Sequence, residues 1–190
     1  MKSKLLLAFI LVTGFTLRFI FIEKLPPSLN WDEVSHGYNA YSILKTGHDE
    51  WGNVMPLIFR CFGDYKLPLY IYTTVIPVFI FGLNQISVRL VSIISGTIAI
   101  FLIYLIGQKV FPKNKFLPLV SASIFAFSPA TIFLSRIALE ANLFMCLFLA
   151  SFYFLLCRKY GLSSLLYGLC LFTYNSSRVL LVFYLLSLAF

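Results

Sequence analysis

Apolar runs separated by short charged corners constrain this chain more than any other feature. They occupy residues 5–22, 67–83, 88–107, 116–135, 139–157, 162–173 and 179–190. The run 116–135 holds 20 residues without a charge, and at ~1.5 Å per residue it matches the roughly 30 Å hydrocarbon core of a bilayer. The run 5–22 follows Lys2 and Lys4 and is interrupted only by Arg18. Its length, and the lack of a small-residue cleavage site after it, favour a retained helix over a signal peptide. Composition agrees: 12% of residues are charged, 60% are apolar, and the mean hydropathy is +0.91. A soluble domain carries about a quarter charged residues. Disorder, a disulfide scaffold and a soluble nucleic-acid binder are thereby excluded. The net charge of +8 is scattered over the corners, as cationic flanks of spans would be. The sequence reads as an all-α, multi-pass integral membrane protein in contact with lipid, with no nucleic-acid partner.

The last run, 179–190, is apolar to its final residue and too short to cross a bilayer. The chain therefore reads as the N-terminal part of a longer module. Three of the four cysteines, Cys146, Cys157 and Cys170, lie in apolar runs and read as packed thiols. Cys61 stands alone in the polar segment, with no metal-ligand spacing around it.

Charge also orients the spans. Lys2 and Lys4, the cluster Lys109, Lys113 and Lys115, and the pair Arg158–Lys159 are all placed inside by the positive-inside rule. The N-terminus is then cytoplasmic, and segment 23–66 and the corners near 136–140 and 175–178 are outside. This requires that run 67–83 makes no net crossing, as a re-entrant or surface-lying helix; its Pro68 and Pro77 suit that role, whereas strict alternation through every run would put the three-lysine corner outside.

The outer segment 23–66 holds six of the seven acidic residues and both histidines, so chemistry is expected there. Asn30-Trp31-Asp32-Glu33 reads as a helix start with Asn30 capping and Glu33 completing a capping box, and Gly47 can end the helix. Val34, Tyr38 and Tyr41 recur at helical spacing, which predicts an amphipathic helix at the membrane surface. Asp32 and Glu33 project from its first turn, where the structural reading is a favourable contact with the helix dipole. Lys66 and Tyr70 flank the next run, as a snorkelling anchor with an interface belt or as a cation with an aromatic collar aimed at a lipid phosphate. Arg89, Arg136, Glu140 and Arg178 lie at the ends of apolar runs, as ion pairs or as parts of a site. The i,i+4 spacing of Arg136 and Glu140 would place them side by side on one helical turn.

In this order the pieces resemble the integral-membrane glycosyltransferases that use polyprenyl- or dolichyl-phosphate sugars. The branch is that of the protein O-mannosyltransferases and the lipid A aminoarabinose transferase. The residues carrying the resemblance are Trp31-Asp32-Glu33, Lys66-Leu67-Pro68-Leu69-Tyr70, Arg89-Leu90, Ser135-Arg136 with Glu140, and Tyr174 with Arg178-Val179-Leu180. Two departures stand out: Leu67-Pro68 where the family often has two prolines, and Glu140 where it often has aspartate. The resemblance implies a GT-C-type transmembrane helical bundle, a polyprenyl-phosphate-linked sugar donor and a hydroxyl-bearing acceptor. It implies Asp32 as general base, with Lys66 and Arg178 facing the phosphate. Glu33 and Glu140 would orient the acceptor or hold a divalent metal; Tyr70, Arg89 and Arg136 are expected to line the substrate site. A lipid or sugar transporter or flippase, or a non-catalytic membrane subunit, is the alternative.

Overall fold

The computed structural model describes residues 2–180; most of the run 179–190 lies outside them. The elements follow as α1 (Lys2–Phe19), α2 (Trp31–Thr46), β1 (Phe59–Cys61), β2 (Asp64–Lys66), α3 (Pro68–Phe81), α4 (Gln85–Val110), α5 (Leu117–Phe127), α6 (Pro129–Arg136), α7 (Glu140–Leu156) and α8 (Tyr160–Cys170). The chain is mostly helical. By length and composition, α4 (26 residues) can cross a membrane, and α5 with α6 can do so together as a span bent by 55°.

The capping box forms as the sequence predicts. Asn30 Oδ1 accepts from Glu33 N at 2.8 Å, and Asn30 N donates to Glu33 Oε2 at 3.0 Å. Gly47 closes α2 in the left-handed region at φ 74°. The small hairpin β1–β2 corrects the all-α expectation. Its turn, Phe62-Gly63, has φ of 41° and 87°, so Gly63 supplies the backbone freedom that a tight hairpin turn needs.

A second correction concerns run 116–135, which is two helices. Pro129 has no N–H to continue the ladder, and Ser128 turns extended at the break. Arg18, fully buried in the last turn of α1, fills the gap. Its guanidinium donates to the carbonyls of Gly14 (2.9 Å), Ala126 (3.0 Å) and Phe125 (3.4 Å), and to the hydroxyls of Thr131 (3.3 Å) and Ser135 (3.1 Å). A cation suits the C-terminal end of α5, where carbonyl dipoles converge.

Ser135 continues this polar seam toward α4 and α7. Asn142 Nδ2 donates to Ser92 O at 2.6 Å and lies 3.4 Å from Ser135 Oγ. Gly96 permits the close approach: a β-carbon there would collide with Ser135 Oγ and meet Arg18 Nε at 3.2 Å. Gly96→Ala is expected to destabilise the fold by ~1–3 kcal/mol, read as a lowered thermal midpoint in detergent. An unchanged midpoint would show that Ser135 yields freely.

Helix α3 packs along α2, where Ala40, Ile43, Phe59, Ile71 and Val78 form one cluster. Tyr70, in its first turn, sets its ring 4.8 Å from that of His36 on α2 and donates its hydroxyl to Val88 O at 3.1 Å. Beyond its last turn, Leu83 lies against Gly37 of α2. Both ends of α3 therefore stay beside α2. Helix α2 buries Glu33, Ser35, His36 and Asn39 along with Ala40 and Ile43, while Trp31, Val34, Tyr38 and Tyr41 are exposed. Its outward face thus carries large aromatic and apolar side chains, as on a helix lying at a membrane surface.

Candidate functional site

The N-termini of α2, α4 and α7 meet at one end of the bundle, together with the β1–β2 hairpin and the end of α8. Glu33 and Arg89 tie these elements together; both are buried. Glu33 Oε1 accepts from Arg89 Nε at 2.8 Å and from Ala138 N at 2.9 Å. Oε2 accepts from Asn30 N at 3.0 Å and Arg89 Nη2 at 3.2 Å. A carboxylate offers about four lone-pair positions, so these bonds leave Glu33 none for a metal or an acceptor. Arg89 spends its remaining donors on the carbonyls of Ile22 (2.6 Å), Pro26 (3.0 Å) and Ser28 (2.8 Å). The pair pins the segment between α1 and α2 onto the start of α4.

Asp32, one residue earlier, turns the other way. Its carboxylate is 39% exposed and lies 3.0 Å from Lys66 Nζ, whose side chain is only 11% exposed. Lys66 also contacts Asp64 Oδ2 at 3.1 Å. Burial alone would lower the Lys66 ammonium; contacts with Asp32 and Asp64 and the nearby charge of Glu140 outweigh it and raise it above the usual lysine value. Asp64 is held below the usual carboxylate range by the Tyr65 N–H and by Lys66. Lys66 is therefore a fixed cation beside a half-exposed carboxylate.

Glu140 does not pair with Arg136. The chain turns extended at Ile137 and again at Leu139, so α6 ends before α7 begins, and the i,i+4 argument fails for want of a continuous helix. Arg136 instead donates to the carbonyls of Leu17 (2.9 Å), Ile20 (2.7 Å) and Leu25 (2.9 Å), closing the end of α1. Glu140 Oε1 lies 3.2 Å from Nε2 of His36, which is wholly buried. Tyr70 is buried rather than part of an open collar, its ring 4.8 Å from that of His36. Arg178 is exposed and lines a pocket of ≈ 340 Å³ with Ile58, Tyr65, Leu67 and Asn175.

Asp32, Glu33, Lys66, Tyr70, Arg89 and Glu140 thus gather in one connected cluster. Arg178 stands at the adjoining pocket, and Arg136 serves the α1 end. Sequence reasoning missed His36. Its signal was position: it lies one helical turn after Asp32 and Glu33, on the face that α2 buries. Among the described residues, no three His, Cys, Asp or Glu side chains group as metal ligands.

Comparison with curated proteins and with solved structures gave no match. A family model described as dolichyl-phosphate-mannose-protein mannosyltransferase matches residues 66–189. That stretch opens on Lys66 and takes in Tyr70, Arg89, Arg136, Glu140 and Arg178. With well over half of its length inside the match, the chain belongs to the dolichyl-phosphate-mannose-protein mannosyltransferase family.

Proposed function

We propose that this protein transfers a sugar from a polyprenyl-phosphate-linked donor to a hydroxyl acceptor at the outer face of the membrane. The observation that carries the reading is the Asp32–Lys66 contact of 3.0 Å. It sets a reachable base beside a fixed cation, and this reaction needs both. Asp32 takes the proton of the acceptor hydroxyl as its oxygen attacks the anomeric carbon. The new carbon–oxygen bond forms as the bond to the lipid phosphate breaks, and single in-line displacement inverts the anomeric centre. Negative charge grows on the departing phosphate, where Lys66 and Arg178 stabilise it. Glu140 orients the acceptor. Glu33 and Arg89 hold the frame in which Asp32 is aimed.

A multi-pass topology with a cytoplasmic N-terminus fits this reading. Helices α4 and α7 both start at the site, and their far ends carry Lys109 and the Arg158–Lys159 pair. Helix α1 ends at the site, with Arg136 bound to its last carbonyls, and starts near Lys4. The basic corners thus collect away from the site, as positive-inside counting requires. Helix α3, with both ends beside α2, makes no net crossing.

The test is transfer of radiolabelled sugar from a polyprenyl-phosphate donor by the purified full-length protein in lipid. Covalent product with an inverted anomeric centre is expected. Donor that binds or changes leaflet without any covalent product would replace the enzyme reading with a transporter or binding subunit.

A further inference from the structure

The contacts of His36 fix more about this site than its acidic residues do. His36 Nδ1 lies 3.0 Å from the carbonyl oxygen of Ala138. A carbonyl can only accept, so Nδ1 carries a hydrogen. Nε2 then faces Glu140 Oε1 at 3.2 Å. With a neutral ring and an ionised carboxylate, two lone pairs would oppose each other in a buried place. The contact is at ion-pair distance without hydrogen-bond alignment, since Nε2 has no hydrogen-bond partner among the described residues. A further proton removes that opposition.

The surrounding charges decide where it resides. On α2 these are Asp32 and Glu33, on β2 Asp64 and Lys66, on α4 Arg89, and on α7 Glu140; α3 contributes the uncharged Tyr70 ring. Glu33 and Arg89 neutralise one another at 2.8 Å. That leaves three carboxylates around the single ammonium of Lys66. A second cation balances this cluster better than a neutral ring does; burial disfavours the Glu140 carboxylate, and the contact with His36 and the charge of Lys66 favour it. We propose that His36 is an imidazolium that holds Glu140 as a carboxylate, which makes His36 a positioning residue of the site. The same ring anchors the Ala138 carbonyl, while the Ala138 N–H is held by Glu33. Ala138, between α6 and α7, is thus held by α2 through both its N–H and its carbonyl, and Glu140 follows two residues later. The use of Glu140 on an acceptor rests on the function proposed above; the imidazolium–carboxylate pair does not.

The experiment is ¹⁵N NMR of histidine-labelled full-length protein in lipid nanodiscs at neutral pH. His36 and His48 are the only two histidines, so His48→Gln assigns the signals. Wild-type His36 is expected to show two protonated ring nitrogens. In Glu140→Gln the carboxylate charge is gone, so a neutral ring no longer faces an anion. His36 should then show one protonated Nδ1 and one bare, pyridine-type Nε2. A pyridine-type nitrogen on His36 in the wild type overturns the proposal, as does an imidazolium that persists unchanged in Glu140→Gln. Failure of the labelled-sugar assay with the wild-type ring signature intact would sink the transferase reading and leave the pair standing.

Discussion

Asp32→Asn is expected to lower sugar transfer by roughly 10²–10⁴-fold, the contribution typical of a positioned general base. Asparagine has the same shape, and its carbonyl oxygen can still meet Lys66 Nζ, which lies 3.0 Å from Asp32. It cannot take a proton from an acceptor hydroxyl. Because the base acts as the new bond forms, the loss should fall on kcat and leave KM nearly unchanged. The fold should survive, since the removed charge sits in the first turn of α2, where its dipole interaction amounts to about 0.3–1 kcal/mol. Membrane insertion and thermal midpoint are therefore the accompanying readouts. Asp64→Asn is the informative companion. Asp64 also contacts Lys66, at 3.1 Å, but its side chain is 68% exposed. If Asp32 matters only as a partner of Lys66, both substitutions should do similar harm. If it is the base, Asp64→Asn keeps near wild-type turnover. Wild-type turnover in Asp32→Asn would remove the residue from that role.

The parts of this site legible in the sequence are those set by local rules. The start of α2 depends on Asn30 and Glu33 three residues apart, and its end on Gly47, so capping chemistry fixes both boundaries. The gathering of charges at one end followed from their scarcity, because few places at membrane depth accept them. What failed were inferences that needed a continuous helix or a partner distant in sequence. The Arg136–Glu140 pair assumed one helix through 136–140, whereas a β-region segment separates α6 from α7. The break at Ser128–Pro129 was visible as a proline, yet the uniform hydrophobicity around it masked it. What stabilises the break is Arg18, more than a hundred residues away. Arg18 itself looked like a flaw in an apolar run. His36 was overlooked for the same reason: its meaning lies in Ala138 and Glu140, which only the packing of α2 against the α6–α7 corner brings near. The burial of Glu33 beside an exposed Asp32 was equally illegible, since adjacent carboxylates on a helix differ only by about 100° of rotation, and packing decides which one turns inward.

That difference makes Glu33→Ala the substitution with the largest expected effect on stability. Truncation removes four hydrogen bonds at once, from Arg89 Nε and Nη2, Asn30 N and Ala138 N. It also leaves the wholly buried Arg89 guanidinium without a counter-charge. Breaking a buried pair in this way costs about 3–5 kcal/mol, a large part of the stability of an ordinary domain. The expected result is a lowered unfolding midpoint in detergent and early proteolysis between α1 and α2, where Arg89 holds the carbonyls of Ile22, Pro26 and Ser28. Sugar transfer should fall as well, through loss of the frame around Asp32 rather than loss of a reacting group. Arg89→Met separates the two causes. In the double variant Glu33→Ala with Arg89→Met, no unpaired charge remains, so the combined loss should be clearly smaller than the two single losses added together. The carbonyls of the α1–α2 segment would still lack donors, so recovery should be partial. Strict additivity, or a Glu33→Ala protein as stable as the wild type, would mean that the pair does not hold this end of the bundle together.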